Sequence, residues 1–158
     1  MNPRIITAEI KFPVEFYDVD SMRIVWHGNY IKYFEKARCA LLNKIGYGYL
    51  EMSASGYAFP VTDVRVKYTR SLLFGDTARV KAILDEYENR IKIKYEIYND
   101  KTGVLTTKGE SCQMAVKMAT NETRFICPEE FIRKVESLAS EIEADAVSDQ
   151  TSLQGDTL

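Results

Sequence analysis

Gly28-Asn-Tyr-Ile-Lys-Tyr-Phe-Glu-Lys-Ala-Arg-Cys-Ala-Leu-Leu-Asn-Lys-Ile45 is the stretch around which the rest of the chain must be arranged. Tyr30, Phe34, Ala37, Leu41 and Ile45 recur at the spacing of one helix face, and Tyr33 and Ala40 widen the stripe. Lys32, Lys36, Asn43 and Lys44 fall largely off it. Asn29 stands in the N-cap region, and Gly46 sits where a left-handed C-terminal cap belongs. The spacing predicts a helix from about Gly28 to Ile45, about 27 Å long at roughly 1.5 Å per residue. One helix of that length, with so wide an apolar stripe, needs a sheet to lie against.

The sheet is written on either side of it. Upstream, Ile10, Phe12, Val14 and Phe16 alternate with Lys11, Pro13 and Glu15, the period of a half-buried strand. Pro13 has no N–H to donate, which points to an edge or a bulge. Downstream, glycines and serines from Gly46 to Gly56 mark a looser connector, with room for a short helix near Tyr49 to Ser53. From Ala58 to Arg70 the chain alternates again, with Val64, Val66 and Tyr68 on one face. Gly75-Asp76 is a turn signal. Ala78, Val80, Ala82 and Leu84 form the next apolar face, and Ile91, Ile93, Tyr95 and Ile97 the one after. Asn99 to Gly103 reads as a hairpin loop, and a last strand is expected from about Val104 to Met118. Tight turns require antiparallel neighbours. The layout is therefore α+β, with one long helix against an antiparallel sheet of about five strands.

Pro128 opens a final helix. Phe131, Val135, Leu138 and Ile142 make its stripe, and Glu129-Glu130 suit its positive end. One domain over residues 1–144 is expected, followed by a polar, structureless tail from 145 to 158.

Bulk properties narrow the function classes. The chain has 158 residues, 46% of them hydrophobic and 28% charged, which suits one folded domain. A net charge of −2 gives no basic footprint for nucleic acid. The 3 cysteines, Cys39, Cys112 and Cys127, are far apart and contain no CxxC pair, so free thiols are expected rather than disulfides or zinc. Met1 to Ile10 holds no apolar signal core, and no run approaches the ~20 apolar residues of a membrane span. A cytoplasmic location is the expectation.

The catalytic inventory is short. His27 is the only histidine, and GxSxG, HExxH and phosphate-loop patterns are absent. What remains is Phe16-Tyr-Asp-Val-Asp-Ser-Met-Arg-Ile-Val-Trp-His-Gly-Asn-Tyr30, which joins the first strand to the long helix. It carries two carboxylates, the only tryptophan and the only histidine. A helix N-terminus offers unpaired N–H groups and the positive end of a dipole, a setting that stabilises an oxyanion. The N–H of His27 or Gly28 is placed in sequence for that role, and a nearby carboxylate supplies a nucleophile or general base. On spacing alone, Asp18 and Asp20 read more readily as turn caps than as catalysts, and His27 more readily as a hydrogen-bonded structural residue.

Three runs settle the choice by resemblance: Tyr17-Asp18-Val19-Asp20, Ile24-Val25-Trp26-His27-Gly28-Asn29-Tyr30, and Tyr33-Phe34-Glu35-Lys36-Ala37-Arg38. Together they resemble the 4-hydroxybenzoyl-CoA thioesterase family of the hotdog fold, and the likeness covers roughly Glu9 to Met118. The resemblance implies an acyl-CoA thioesterase with no metal and no cofactor. It makes Asp20 the catalytic carboxylate, His27 the oxyanion donor through its backbone N–H, and the His27 imidazole an assistant, with Gly28 a second oxyanion candidate by its place at the helix start. Asp18, Asn29, Tyr30, Glu35 and Arg38 become supports of the loop and helix, with Glu35 and Arg38 paired on one face. It further implies a homodimer or homotetramer with active sites at the dimer interface. Asn89, Arg90 and Lys92, or Lys67 and Arg70, are candidates to meet the phosphates of coenzyme A. Phe59, with Tyr57 and Val61, is a candidate for the acyl pocket. Alternatives on the same fold are an acyl-carrier-protein thioesterase and a non-catalytic acyl-CoA-binding protein. One position departs from the family: three residues after the catalytic Asp, where glycine is common, stands Arg23. A glycine there suits a positive φ.

Overall fold

The computed structural model describes residues 1–155. Strand β1 (Thr7–Pro13) leads through a 3-10 turn at Phe16–Asp18 to the long helix α1 (Asn29–Ile45) and a short helix α2 (Tyr49–Ala54). Strands β2 (Tyr57–Ala58), β3 (Val61–Tyr68), β4 (Thr77–Glu86), β5 (Ile91–Asn99) and β6 (Leu105–Gln113) follow. The chain ends in β7 (Ala115–Lys117), β8 (Glu122–Arg124) and helix α3 (Glu129–Gly155). β1, β4, β5, β6 and β3 form a five-stranded antiparallel sheet in that order. Helix α1 packs on its inner face, chiefly against β1 and β4. This is the α+β layout that the periodicities predict.

The helix stripe is buried as its spacing requires. Tyr30, Tyr33, Phe34, Ala37, Leu41, Leu42 and Ile45 are all inaccessible, and Gly46 ends the helix at φ 84°. Facing them are the alternate residues of β4 and β5, from Ala78 to Leu84 and from Ile91 to Ile97. Phe34 stacks on Tyr95 with ring centroids 4.4 Å apart, which fixes helix against sheet at its middle.

Three boundaries differ from the sequence reading. The first strand stops at Pro13: Val14 turns inward and donates to the Asp76 carbonyl at 2.8 Å, and Phe16 is exposed. The last expected strand breaks at Met114. Its first part, β6, stays in the large sheet, and its second, β7, joins β2 and β8 in a separate three-stranded sheet. The expected tail from 145 is instead a continuation of α3 to Gly155. Ser148, Thr151 and Ser152 bond back to carbonyls three or four residues earlier, and residues 145–153 are exposed. The end of the expected tail, 156–158, lies outside the described residues. The packed half of α3 is its beginning, where Phe131, Val135 and Ala139 are buried.

The strands also decide where chemistry can sit. β4 begins at Thr77, beside the loop that precedes α1, and carries the chain to the opposite end of the sheet. Its ten residues span about 30 Å at roughly 3.3 Å each. β3 is an edge strand that α1 barely reaches, so Val61 and Tyr68 remain 43% and 48% exposed.

Candidate active site

The segment between β1 and α1 folds as a small hairpin. Val19 pairs with Val25, the Asp20 N–H donates to the Ile24 carbonyl at 2.9 Å, and the Trp26 N–H donates to the Asp18 carbonyl at 2.9 Å. A second layer holds it from outside. Ile24 pairs with Leu73, and the Val25 N–H donates to the Leu72 carbonyl at 2.8 Å. The turn of the hairpin closes through the Arg23 N–H, which donates to the Asp20 carbonyl at 2.9 Å. Arg23 does so at φ 63°, the left-handed conformation that glycine takes at least cost. The glycine-like geometry is therefore kept with a non-glycine residue.

The two aspartates have different surroundings. Asp18 Oδ2 accepts from the Glu15 N–H and the Tyr33 hydroxyl, each at 3.0 Å. Its carbonyl also accepts the Asn29 side-chain amide at 2.8 Å. Asp18 is thus a structural hub that ties the hairpin to α1, and burial with the Asp18 bond drives the Tyr33 phenol far above its ordinary range. Asp20 is partly exposed, and its Oδ1 accepts one bond, from the Met22 N–H at 2.8 Å. Among the described residues Asp20 Oδ2 has no partner. The carboxylate is held by one oxygen and free at the other.

The second leg of the hairpin runs straight into α1. Asn29 donates its N–H to the Trp26 carbonyl at 2.9 Å, and Gly28 is the N-cap, with no side chain to shield the helix end. Among the described residues neither the His27 nor the Gly28 N–H has an acceptor. The Trp26 ring lies against Gly28: a Cβ there would stand 2.2 Å from the indole. The His27 ring is exposed and lies 5.0 Å from Trp26. Phe16, Tyr17, Met22, Leu73 and Phe74 leave apolar surface open around the hairpin. A cleft of about 290 Å³ runs beside it, lined by Tyr17, Asp18, Asn29 and Tyr33.

Asp20, His27 and Gly28 therefore share one loop. Glu35 and Arg38 form the expected ion pair at 3.3 Å, with Arg38 buried and also bonded to the Tyr49 hydroxyl. Arg70 and Lys67 lie in the segment that ends β3 and leads to the Leu72–Leu73 contact. Lys67 faces a groove of about 400 Å³ on the outer side of the sheet, with Arg65, Lys94 and Lys108, and neither Asp20 nor His27 lines it. Asn89, Arg90 and Lys92 sit at the other end of β4 from the hairpin, where Arg90 pairs with Glu86 at 2.9 Å and Lys92 with Glu110 at 3.6 Å. Phe59 is buried, packed edge-on to Tyr47 at 6.0 Å and against Phe131 at 6.3 Å, within the core.

Sequence reasoning missed one participant. Tyr68, read only as sharing one strand face with Val64 and Val66, donates its hydroxyl to the His27 carbonyl at 2.7 Å. Nothing local in the sequence marks that contact, because the partners are 41 residues apart.

Comparison with known proteins gives the family of the chain. The model of the thioesterase-like superfamily matches residues 14–146. The chain is 34% identical over 104 residues to YneP of Bacillus subtilis (strain 168), a protein assigned as an acyl-CoA thioesterase, covering 65% of this chain and 75% of that one. Its structure resembles a DHNA-CoA thioesterase from Staphylococcus aureus, with a TM-score of 0.75, 28% identity, and coverage of 89% and 95% of the two chains. It also resembles a hypothetical protein, TT1821, from Thermus thermophilus, with a TM-score of 0.74, 25% identity, and coverage of 83% and 98%. The fold is the hotdog fold.

Proposed function

This chain belongs to the thioesterase-like superfamily, and on that premise we propose that it hydrolyses acyl-coenzyme A thioesters to a free acid and coenzyme A. One observation carries the reading. A carboxylate with an oxygen that has no partner among the described residues, Asp20, stands in a hairpin whose other leg ends on two N–H groups likewise unpaired there, at a helix N-terminus. The N–H groups of His27 and Gly28 accept the negative charge that builds on the thioester oxygen. Asp20 works in one of two ways. As a nucleophile it forms a C–O bond to the acyl carbon while the C–S bond breaks, and water then cleaves the mixed anhydride. As a general base it takes a proton from water, whose oxygen attacks the same carbon. Either way the leaving thiolate takes up a proton as coenzyme A. A thioester lacks the resonance stabilisation of an amide, so one carboxylate and one oxyanion site suffice. The exposed His27 imidazole stands at the same mouth and assists.

The exposed outer edge of β3 supports a dimer paired sheet to sheet. In that assembly Tyr68 and the apolar surface around the hairpin lie at the subunit boundary. Arg70 of the same chain, in the segment that leads from β3 to the hairpin, serves a phosphate of coenzyme A, while Lys67 faces the outer groove away from Asp20 and His27. Asn89, Arg90 and Lys92, about 30 Å along β4, contribute only across a subunit boundary.

The test is release of free thiol from a panel of acyl-CoA thioesters. Asp20→Asn is expected to lower turnover at least ~10²-fold with folding intact. Turnover near that of the wild type in a folded Asp20→Asn protein overturns the assignment.

A further inference from the structure

The His27–Gly28 peptide is gripped from its carbonyl side. Tyr68, the last residue of β3, donates its hydroxyl to the His27 oxygen at 2.7 Å. The carbonyl oxygen of His27 and the N–H of Gly28 belong to one rigid trans plane and point to opposite sides of it. Fixing the oxygen therefore fixes the direction of the N–H. A donor on the carbonyl also polarises the peptide, so its N–H becomes a stronger donor in turn. The opposite constraint comes from Trp26, whose ring covers the Gly28 Cα.

Tyr68 is itself held for this contact. Its ring meets Tyr30 of α1 edge-on at 5.2 Å, and the Tyr30 hydroxyl accepts the Leu72 N–H at 3.3 Å. Desolvation raises the Tyr68 phenol above its ordinary value, so at neutral pH it carries its proton and acts as a donor. The arrangement thus links the end of an edge strand to the one peptide that caps α1.

We infer that Tyr68 is a positioning residue of the reaction: through the His27 carbonyl it sets the plane and the donor strength of the Gly28 N–H that meets the thioester oxygen. The inference rests on the thioesterase reading. It adds a residue outside the hairpin, one that touches no reacting atom.

Tyr68→Phe removes the hydroxyl and leaves the ring. In a ¹⁵N-resolved spectrum of the ligand-free protein, the Gly28 amide proton is expected to move upfield, while the amides of the β4–β5 core stay in place and report an intact fold. On acyl-CoA, kcat is expected to fall about tenfold with KM changed less than about twofold. That loss is smaller than the ~10²–10³ seen when an oxyanion donor is removed outright, because the donor is misaligned rather than lost. An unmoved Gly28 amide in an active enzyme, or a raised KM at unchanged kcat, overturns the inference alone. Absence of wild-type turnover on every acyl-CoA tested overturns the thioesterase reading, and with it the catalytic part of the inference.

Discussion

Asp18 and Tyr33 are joined by a 3.0 Å hydrogen bond that ties the turn before the hairpin to the second turn of α1. Tyr33 is buried, and among the described residues the Asp18 oxygen it serves has only the Glu15 N–H besides. Removing the hydroxyl leaves a carboxylate oxygen short of a partner. Tyr33→Phe is expected to lower unfolding free energy by about 1–2 kcal/mol in urea titrations. Asp20→Asn, at an oxygen with one exposed contact, is expected to change it by less than about 0.5 kcal/mol. The reverse ranking would mean that Asp20 holds the loop.

Arg23 occupies a left-handed backbone position at φ 63°. A side chain there carries a strain of roughly 1 kcal/mol that glycine lacks, partly offset by the greater freedom of glycine in the unfolded chain. Arg23→Gly is expected to raise stability by about 0.5 kcal/mol. Arg23→Val, branched at Cβ, is expected to lower it by about 1 kcal/mol or more. Thermal melts of the two variants beside the wild type decide the matter.

Gly28 carries a consequence that can be seen by fluorescence, because Trp26 is the only tryptophan. An added Cβ would run into the outer ring of the indole, and Trp26, half exposed as a residue, has room to swing away. Gly28→Ala is expected to shift the emission to longer wavelength as the ring moves into water. Stability is expected to fall by no more than about 1 kcal/mol, and turnover to fall with the displaced oxyanion donor. An unchanged spectrum would show that the ring does not rest on Gly28.

Cys127 makes stability depend on alkaline pH. Desolvation raises its thiol from 9.0 to about 12. Below pH 9 the thiol is protonated whether the chain is folded or not, and its contribution is fully present. Above pH 9 the unfolded chain gives up the proton and the folded chain keeps it, so stability falls as pH rises towards 12. Cys127→Ala is expected to be about 1 kcal/mol less stable at pH 7, with a shallower decline between pH 9 and 10. Above that, Tyr87 and Tyr95, both raised to about 12, add their own loss in either protein.

What could be read from the sequence was what repeats. Tyr30, Phe34, Leu41 and Ile45 share one face for four turns, and all are buried. The strands β4 and β5 alternate for nine residues or more, and their inner residues meet that face. β7 and β8, of three residues each, are too short to show a period. Val14 and Phe16 continued the alternation of β1 past Pro13, but the chain had already turned. In the site, it was legible that Asp20, His27 and Gly28 fall in one loop, because they are neighbours in sequence; that the loop closes as a hairpin through Val19 and Val25 was not. The Leu72–Leu73 contact and the Tyr68 hydroxyl were not, since each reaches the loop from across the sheet.

Asp18 and Asp20 are separated by a single valine and do opposite work. The inner one takes two bonds on its Oδ2, from the Tyr33 hydroxyl and the Glu15 N–H, while the outer takes a single bond from the Met22 N–H. A genetic screen that scores only loss of activity would rank the two alike. Only a measurement that separates a protein that is present and inert from one that has melted would tell them apart. Interpreting any variant in this segment thus requires knowing how much folded protein the cell holds.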